Sequence, residues 1–309
     1  MAKYKGFGAK CEGFSHKNSV PPTDCQDAAD SWCDEKFAIC AAADGHGGEK
    51  YFRSGIGANI AVEISIEAVK EFISLQKPSL GGEALSEENY PKLLKGLAAH
   101  IVSKWVDETR KHWNTKLCDE REKTVFDKHY PNQDPLSKDL NVCKIYGTTL
   151  IVGAITEEFS FIFQCGDGAA CIIPQNGDTV IPPETIDENQ IGSMANSISS
   201  SNCLELFRYY YTKEIPKAML LVSDGVLESY GGNDGKDFLR FCEKVVELYL
   251  GNHDQAQGFL EDWLPKLSEK GSEDDMSIVG VFLLPETKSH ANDFLENGDQ
   301  PEDKASVIN

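Results

Sequence analysis

Four aspartates stand at the edges of short apolar runs. Asp44 follows Ala41-Ala42-Ala43 and precedes Gly45-His46-Gly47-Gly48, and Asp167 follows Phe163-Gln164-Cys165-Gly166. Asp224 closes Leu220-Leu221-Val222-Ser223, and Asp274 leads into Asp275-Met276-Ser277-Ile278-Val279. A buried strand that begins or ends in a carboxylate delivers an oxygen ligand to the mouth of a sheet. Carboxylates converging from distant segments repel one another unless a hard divalent cation neutralises them, and oxygen-only ligands suit magnesium or manganese. The pattern points to metal-dependent hydrolysis. In the first motif, Asp44 is placed to bridge two cations, Gly45 leaves its own carbonyl free to approach a metal, and Gly47 and Gly48 permit a tight entry into a helix. His46, with an intrinsic pKa near neutrality, is placed to protonate a departing oxygen. Taken singly, an Asp-Gly pair is a common turn and a histidine after it a solvated loop residue. The inference rests on the ordered set.

The elements that must position these residues follow from periodicity. Residues 36–43 read as a strand, and turn chemistry then leads into a helix with Phe52, Ile56, Ile60, Ile64 and Phe72 on one face and Glu63, Glu67, Lys70 and Glu71 between them. Lys77-Pro78-Ser79-Leu80-Gly81-Gly82 breaks it. A second amphipathic helix follows, with Leu94, Leu97, Ile101, Trp105 and Val102 on its apolar side. Residues 107–145 are charged and weakly periodic, and read as a long surface excursion with some helix. Strands are expected at 149–155, 159–165 and 169–173, and the short loops between them imply antiparallel neighbours. Residues 174–202 are rich in Pro, Ser, Asn and Gly, too polar for a core, and are expected to form a flap beside the site. A strand at 218–223, helices at 234–250 and 255–269, and a strand at 277–284 complete the pattern. Strands fall in runs with helices in pairs between them, which favours a layered α+β fold over a doubly wound one. The expected domain spans 1–285, and the polar, acidic residues 286–309 are expected to be a disordered tail.

The bulk composition excludes several functions. A formal net charge of −20 across 309 residues repels nucleic acid and anionic membranes. Part of that acidity could serve metal ions or basic segments of a protein substrate. No apolar stretch approaches the roughly 18 residues of a membrane span, and the start lacks the apolar core of a secretion signal, so a cytoplasmic location is expected. The ten cysteines include no Cys-x-x-Cys pair. In a reducing compartment they are expected to be core or incidental thiols, as for Cys40, Cys165 and Cys171 within apolar runs.

The ordered motifs also carry a family resemblance. Gly13-Phe14-Ser15-His16 with Cys25-Gln26-Asp27-Ala28, then Asp44-Gly45-His46-Gly47-Gly48, Tyr146-Gly147-Thr148-Thr149-Leu150, Cys165-Gly166-Asp167, Ser223-Asp224-Gly225 and Asp274-Asp275-Met276-Ser277 resemble, in order, the motifs of metal-dependent serine/threonine protein phosphatases of the protein phosphatase 2C type. The resemblance spans about residues 6–284. It implies a four-layer α-β-β-α sandwich with two central antiparallel sheets flanked by helix pairs. It also implies a site for two divalent cations, Mn2+ or Mg2+, at one end. By position, Asp44 would bridge both metals, Gly45 would offer its carbonyl to one, and Asp224 and Asp274 would hold the other. Asp27 would act through water, and Asp167 matches a weaker third metal position. His46 would be the general acid, and the substrate would be a phosphorylated protein met by a monomeric enzyme.

The chain departs from the pattern in four places. Gln26-Asp27 replaces a Glu-Asp pair, and Pro22 stands where many members carry a phosphate-gripping arginine, which leaves His16 and Lys17 as the nearby candidates. Glu228 stands where the third-metal pattern often has Asp. Asp275 stands where the family commonly has Asn, and a one-residue shift would exchange it with Asp274. Two other readings remain open: a catalytically inactive regulatory binding protein on the same fold, which would lack a metal aspartate, and a hydrolase of small phosphate esters.

Overall fold

An apolar run without polar alternation must be covered on both faces, and this chain meets that demand with four layers. The structure, a computed structural model, describes residues 3–20, 23–75, 84–135, 137, 140–182, 196–231 and 235–285. Pro22, the expected helix break at 77–82, the middle of the expected flap and the tail from 286 onward lie outside the described residues. In chain order the elements are β1 (Tyr4–Cys11), α1 (Phe14–Lys17), β2 (Ala28–Cys33), β3 (Phe37–Ala43), α2 (Ser54–Leu75), α3 (Tyr90–Thr115), α4 (Glu120–His129), β4 (Leu150–Thr156), β5 (Ser160–Cys165) and β6 (Ala169–Ile173). After these come α5 (Cys203–Leu206), β7 (Arg208–Thr212), β8 (Ala218–Val222), α6 (Asp224–Ser229), α7 (Lys236–Gly251), α8 (His253–Lys270) and β9 (Met276–Leu283).

Both sheets are antiparallel, one in the order β1-β9-β8-β6 and the other β2-β3-β4-β5-β7. Successive side chains in each strand serve different layers, as a period of two requires. In β3, Phe37, Ile39, Ala41 and Ala43 face α2 and α3, while Ala38, Cys40 and Ala42 face the other sheet. In β8, Ala218, Leu220 and Val222 face α7 and α8, and Met219 and Leu221 fill the space between the sheets. The expected α+β sandwich is what the chain forms. All ten cysteines are free thiols, and Cys40, Cys165 and Cys171 are fully buried.

Several expectations about local structure need correction. Strands β5 and β6 are not neighbours: the chain crosses from one sheet to the other between them, and β6 pairs with β8. A short loop can join two sheets as readily as two neighbouring strands. Helix α2 buries its small residues, Gly57, Ala58, Ala61, Val62 and Ser65, whereas Ile56 is 37% exposed. Close approach decides this, because a Cβ on Gly57 would lie 1.9 Å from the Tyr146 carbonyl oxygen. Phe52, Ile60, Ile64 and Phe72 pack at the margin of that core. Residues 107–145 do contain helix and are largely exposed, but the described ones hold more core than a surface excursion would. They extend α3, form α4, and bury Trp113, Phe126, Leu140, Val142, Cys143 and Ile145. Strands β1, β2 and β7 were not apparent from patterning, since each is only partly buried and carries polar or small residues.

Gly57→Ala should therefore destabilise the fold by about 1–3 kcal/mol, the usual cost of overpacking. Chemical denaturation measures it, and an unchanged midpoint would mean that α2 has room to move away from Tyr146.

Candidate active site

Strand register assembles the motifs before any side chain is considered. Ala28 pairs with Ala43, which sets Asp27 beside Asp44. Ala169 pairs with Val222, and Val222 with Ile278, which brings the turn holding Asp167, the Ser223-Asp224 step and the Asp274-Asp275 pair to the same end of the sandwich. Strand β1 ends against Met276 and leads into Gly13 and His16. Residues separated by most of the chain thus meet at one rim.

Backbone contacts then lock the Asp44 motif. The Asp44 N–H donates to Thr149 Oγ1 at 2.9 Å, and its carbonyl accepts from the Thr149 N–H and the Thr148 hydroxyl, both at 2.8 Å. Gly45 lies between two backbones: an added Cβ would sit 2.7 Å from the Gln26 carbonyl oxygen and 2.7 Å from the Ser54 carbonyl carbon. Glycine is needed there for packing, beyond any role of its carbonyl. His46 donates its N–H to the Gly147 carbonyl at 3.0 Å, and its ring packs 5.2 Å from Tyr51.

The carboxylates are held against their own charge. Asp27 is fully buried, and neither of its carboxylate oxygens has a hydrogen-bond partner; the same is true of Asp224 Oδ1. Burial raises the pKa of Asp27, Asp44 and Asp224; Asp27, Asp224 and Asp274 add to the shift of Asp44, whereas Ser223 and Ser277 oppose that of Asp27 and Asp44 opposes that of Asp224. Asp167 and Glu228 act on Asp224 from the rim. Among the described residues no three such side chains are drawn in closely enough to hold an ion as they stand. Unpartnered buried carboxylate oxygens are costly. A donor set of carboxylates and a glycine carbonyl is what magnesium or manganese takes, so these residues fit a divalent cation.

Asp274 and Asp275 have different surroundings. Asp275, 4% exposed, accepts the Gly13 N–H at 2.7 Å, the Gln26 N–H at 2.6 Å and His16 Nδ1 at 2.9 Å. Its carboxylate is a clasp between the first and last motifs. The Asp274 side chain is 51% exposed and lies beside the cluster. His16 is turned inward: its hydrogen bond to Asp275 raises its pKa, and its Nε2 lies 3.9 Å from Asp274 Oδ1. Lys17 is exposed and lines a groove with Phe14, Pro265, Lys266 and Glu269. The Gln26 amide is anchored to Ser54 Oγ at 2.6 Å.

Burial lowers the pKa of His46, with Asp167 opposing that shift and Lys50 adding to it. Asp167 itself is exposed on a turn pinned by two residues that sequence reasoning missed. Gln164 donates to the Gly166 and Gly168 carbonyls at 3.2 and 2.5 Å, and Arg208 donates to the Gly166 carbonyl at 3.0 Å. A glutamine inside the apolar run of β5 was the available signal. Of the expected flap, the described residues 196–202 lie beside the site, but they are not all surface. Ser197 and Ile198 are buried, Ser197 Oγ and the Ile198 N–H donate to the Thr148 carbonyl, and Ser199 packs against Gly147.

Among the described residues no helix is long and apolar enough to cross a membrane. No curated protein matches the sequence significantly. Solved structures do share the fold. A sex-determining protein of C. elegans superposes with a TM-score of 0.55 at 15% identity, over 92% of this chain and 66% of that one. PppA, described as a regulatory component of the type VI secretion system of Pseudomonas aeruginosa, gives 0.51 at 13% identity over 92% and 99%. The catalytic domain of the serine/threonine protein phosphatase PstP, solved with two manganese ions, gives 0.50 at 14% identity over 91% and 99%. The sequence profile of protein phosphatase 2C matches residues 13–265, which include every motif at this rim but the last, and the chain therefore belongs to the protein phosphatase 2C family.

Proposed function

We propose that the chain hydrolyses phosphoserine and phosphothreonine in proteins in a reaction that depends on divalent metal ions. The observation that carries this reading is the set of buried, unpartnered carboxylate oxygens on Asp27 and Asp224 beside Asp44, in a chain whose sequence offers a residue at each direct ligand position that the resemblance implies. Asp44, the Gly45 carbonyl, Asp224 and Asp274 would hold two cations, Mn2+ or Mg2+. Asp27 would act through water and Asp167 at a weaker third position. When bound, such a pair supplies Lewis acidity and an activated water for in-line attack on phosphorus. Asp275 is engaged by three donors and serves as the clasp. His46 protonates the departing serine or threonine oxygen. Burial alone disfavours the charged imidazole, so Asp167 and the negative charge of the arriving phosphate supply its proton affinity.

Phosphate release from phosphothreonine and phosphoserine peptides, with manganese and with chelator, tests the reading. Release should require manganese. His46→Ala should lower turnover by about 10²–10⁴, and Asp44→Asn should do more harm. No release by folded, manganese-loaded protein would favour a binding role instead, and release from small esters alone would favour a small-molecule hydrolase.

Asp274→Asn should weaken manganese binding, read by calorimetry. Asp275→Ala should retain it but lose stability, because two backbone N–H groups and His16 lose their acceptor. The reverse pattern would exchange the two roles.

The carboxylate cluster also sets a pH dependence. Its pKa values are raised by folding, so the folded state binds more protons than the unfolded chain, and the site's contribution to stability falls as pH rises from about 4 through neutrality. Cations displace those protons. The rise in Tm on adding Mn2+ should be larger at pH 8 than at pH 6, and a pH-independent rise would contradict the cluster's role.

A further inference from the structure

Both ends of helix α4 grip the segment that follows His46. Beyond the loop, Arg53 is 3% exposed, and its Nε and Nη2 donate to Glu122 Oε1 and Oε2, each at 2.7 Å. Glu122 also starts α4 through a capping box, its N–H donating to Asp119 Oδ1 at 2.8 Å and its carboxylate accepting the Asp119 N–H at 3.2 Å. One carboxylate therefore fixes both the helix start and the arginine. The guanidinium further donates to Tyr146 Oη and to the Lys116 carbonyl, both at 3.0 Å, and lies 4.8 Å from the Trp113 ring. Tyr146 Oη also shares a 2.7 Å hydrogen bond with His112 Nδ1. Tyr146 directly precedes Gly147, the residue that accepts the His46 N–H.

The other grip is on the surface. Lys128 and His129 both pair with Glu49, His129 at 3.0 Å, and Tyr130 Oη donates to the Lys50 carbonyl at 3.1 Å. Exposed pairs of this kind contribute little stability singly. A buried two-point arginine–carboxylate contact is stronger and fixes direction as well as distance.

We propose that α4 is a clamp on the His46 loop, with Arg53 and Glu122 as positioning residues that aim the imidazole at the leaving oxygen. The inference rests on the reading of His46 as proton donor. Misplacement of a reacting group by about 1 Å can cost about 100-fold in rate, so a clamp of this kind has a measurable effect.

The test uses the full chain with manganese and two substrates. A phosphothreonine peptide releases an alkoxide that needs a proton, whereas p-nitrophenyl phosphate releases a phenolate that does not. Glu122→Ala should lower kcat on the peptide about 10- to 100-fold and change kcat on the aryl ester far less, and Glu122→Gln should recover much of the loss. Lys128→Ala/His129→Ala should shift the ratio in the same direction by a smaller factor. That exposed double variant carries the test if Glu122→Ala, which leaves Arg53 buried without its partner, does not fold. Amide hydrogen exchange across residues 45–53 should be faster in both variants. Equal losses on the two substrates, or unchanged exchange at 45–53, would overturn the clamp. If His46→Ala itself does not distinguish the substrates, the proton-donor reading falls, and the exchange measurement alone decides whether α4 holds the loop.

Discussion

Like charges gathered in a protein's interior are the constraint on which the rest of this structure depends. Burial raises the pKa of Asp27, Asp44 and Asp224, and the charges of Asp27, Asp224 and Asp274 raise that of Asp44 further. Such groups do not collect by mutual attraction. They must be held there by a scaffold whose stability comes from elsewhere, and the three apolar layers of the sandwich supply it. The rim is an energetic cost carried by the core, as is usual where a fold keeps groups ready for chemistry.

The holding is done mainly by backbone. Threonines 148 and 149 secure both polar groups of the Asp44 main chain, so the backbone that carries this carboxylate is fixed without using the carboxylate itself. Asp275 does the opposite, spending its carboxylate on Gly13, Gln26 and His16. Two adjacent aspartates with the same chemistry thus take different duties, one tying the first motif to the last and the other left half in solvent. His16, read from sequence as a possible phosphate contact, is part of that tie.

The stretch of residues 107–145 changes meaning in the same way. Its charge and weak periodicity suggest a solvated surface, yet Glu122 and Trp113 enclose Arg53 within it. Charged residues that neutralise one another in the interior are indistinguishable in composition from charged residues facing water. Only the partner's position separates them, and that partner lies 69 residues away in the chain.

Much was legible in the sequence because it is local. Apolar runs marked β3, β4, β6, β8 and β9 to within a residue or two, since a strand buried on both faces is apolar along most of its length. The motifs at their ends marked the rim, since turn glycines and strand-end aspartates are dictated by the immediate backbone. What the tertiary structure alone decided is non-local: which sheet β6 joins, which face of α2 is buried, which of Asp274 and Asp275 is buried, and that α4 reaches the His46 loop. Each depends on pairings and close approaches between segments far apart in the chain, and those distances are fixed only when the layers pack.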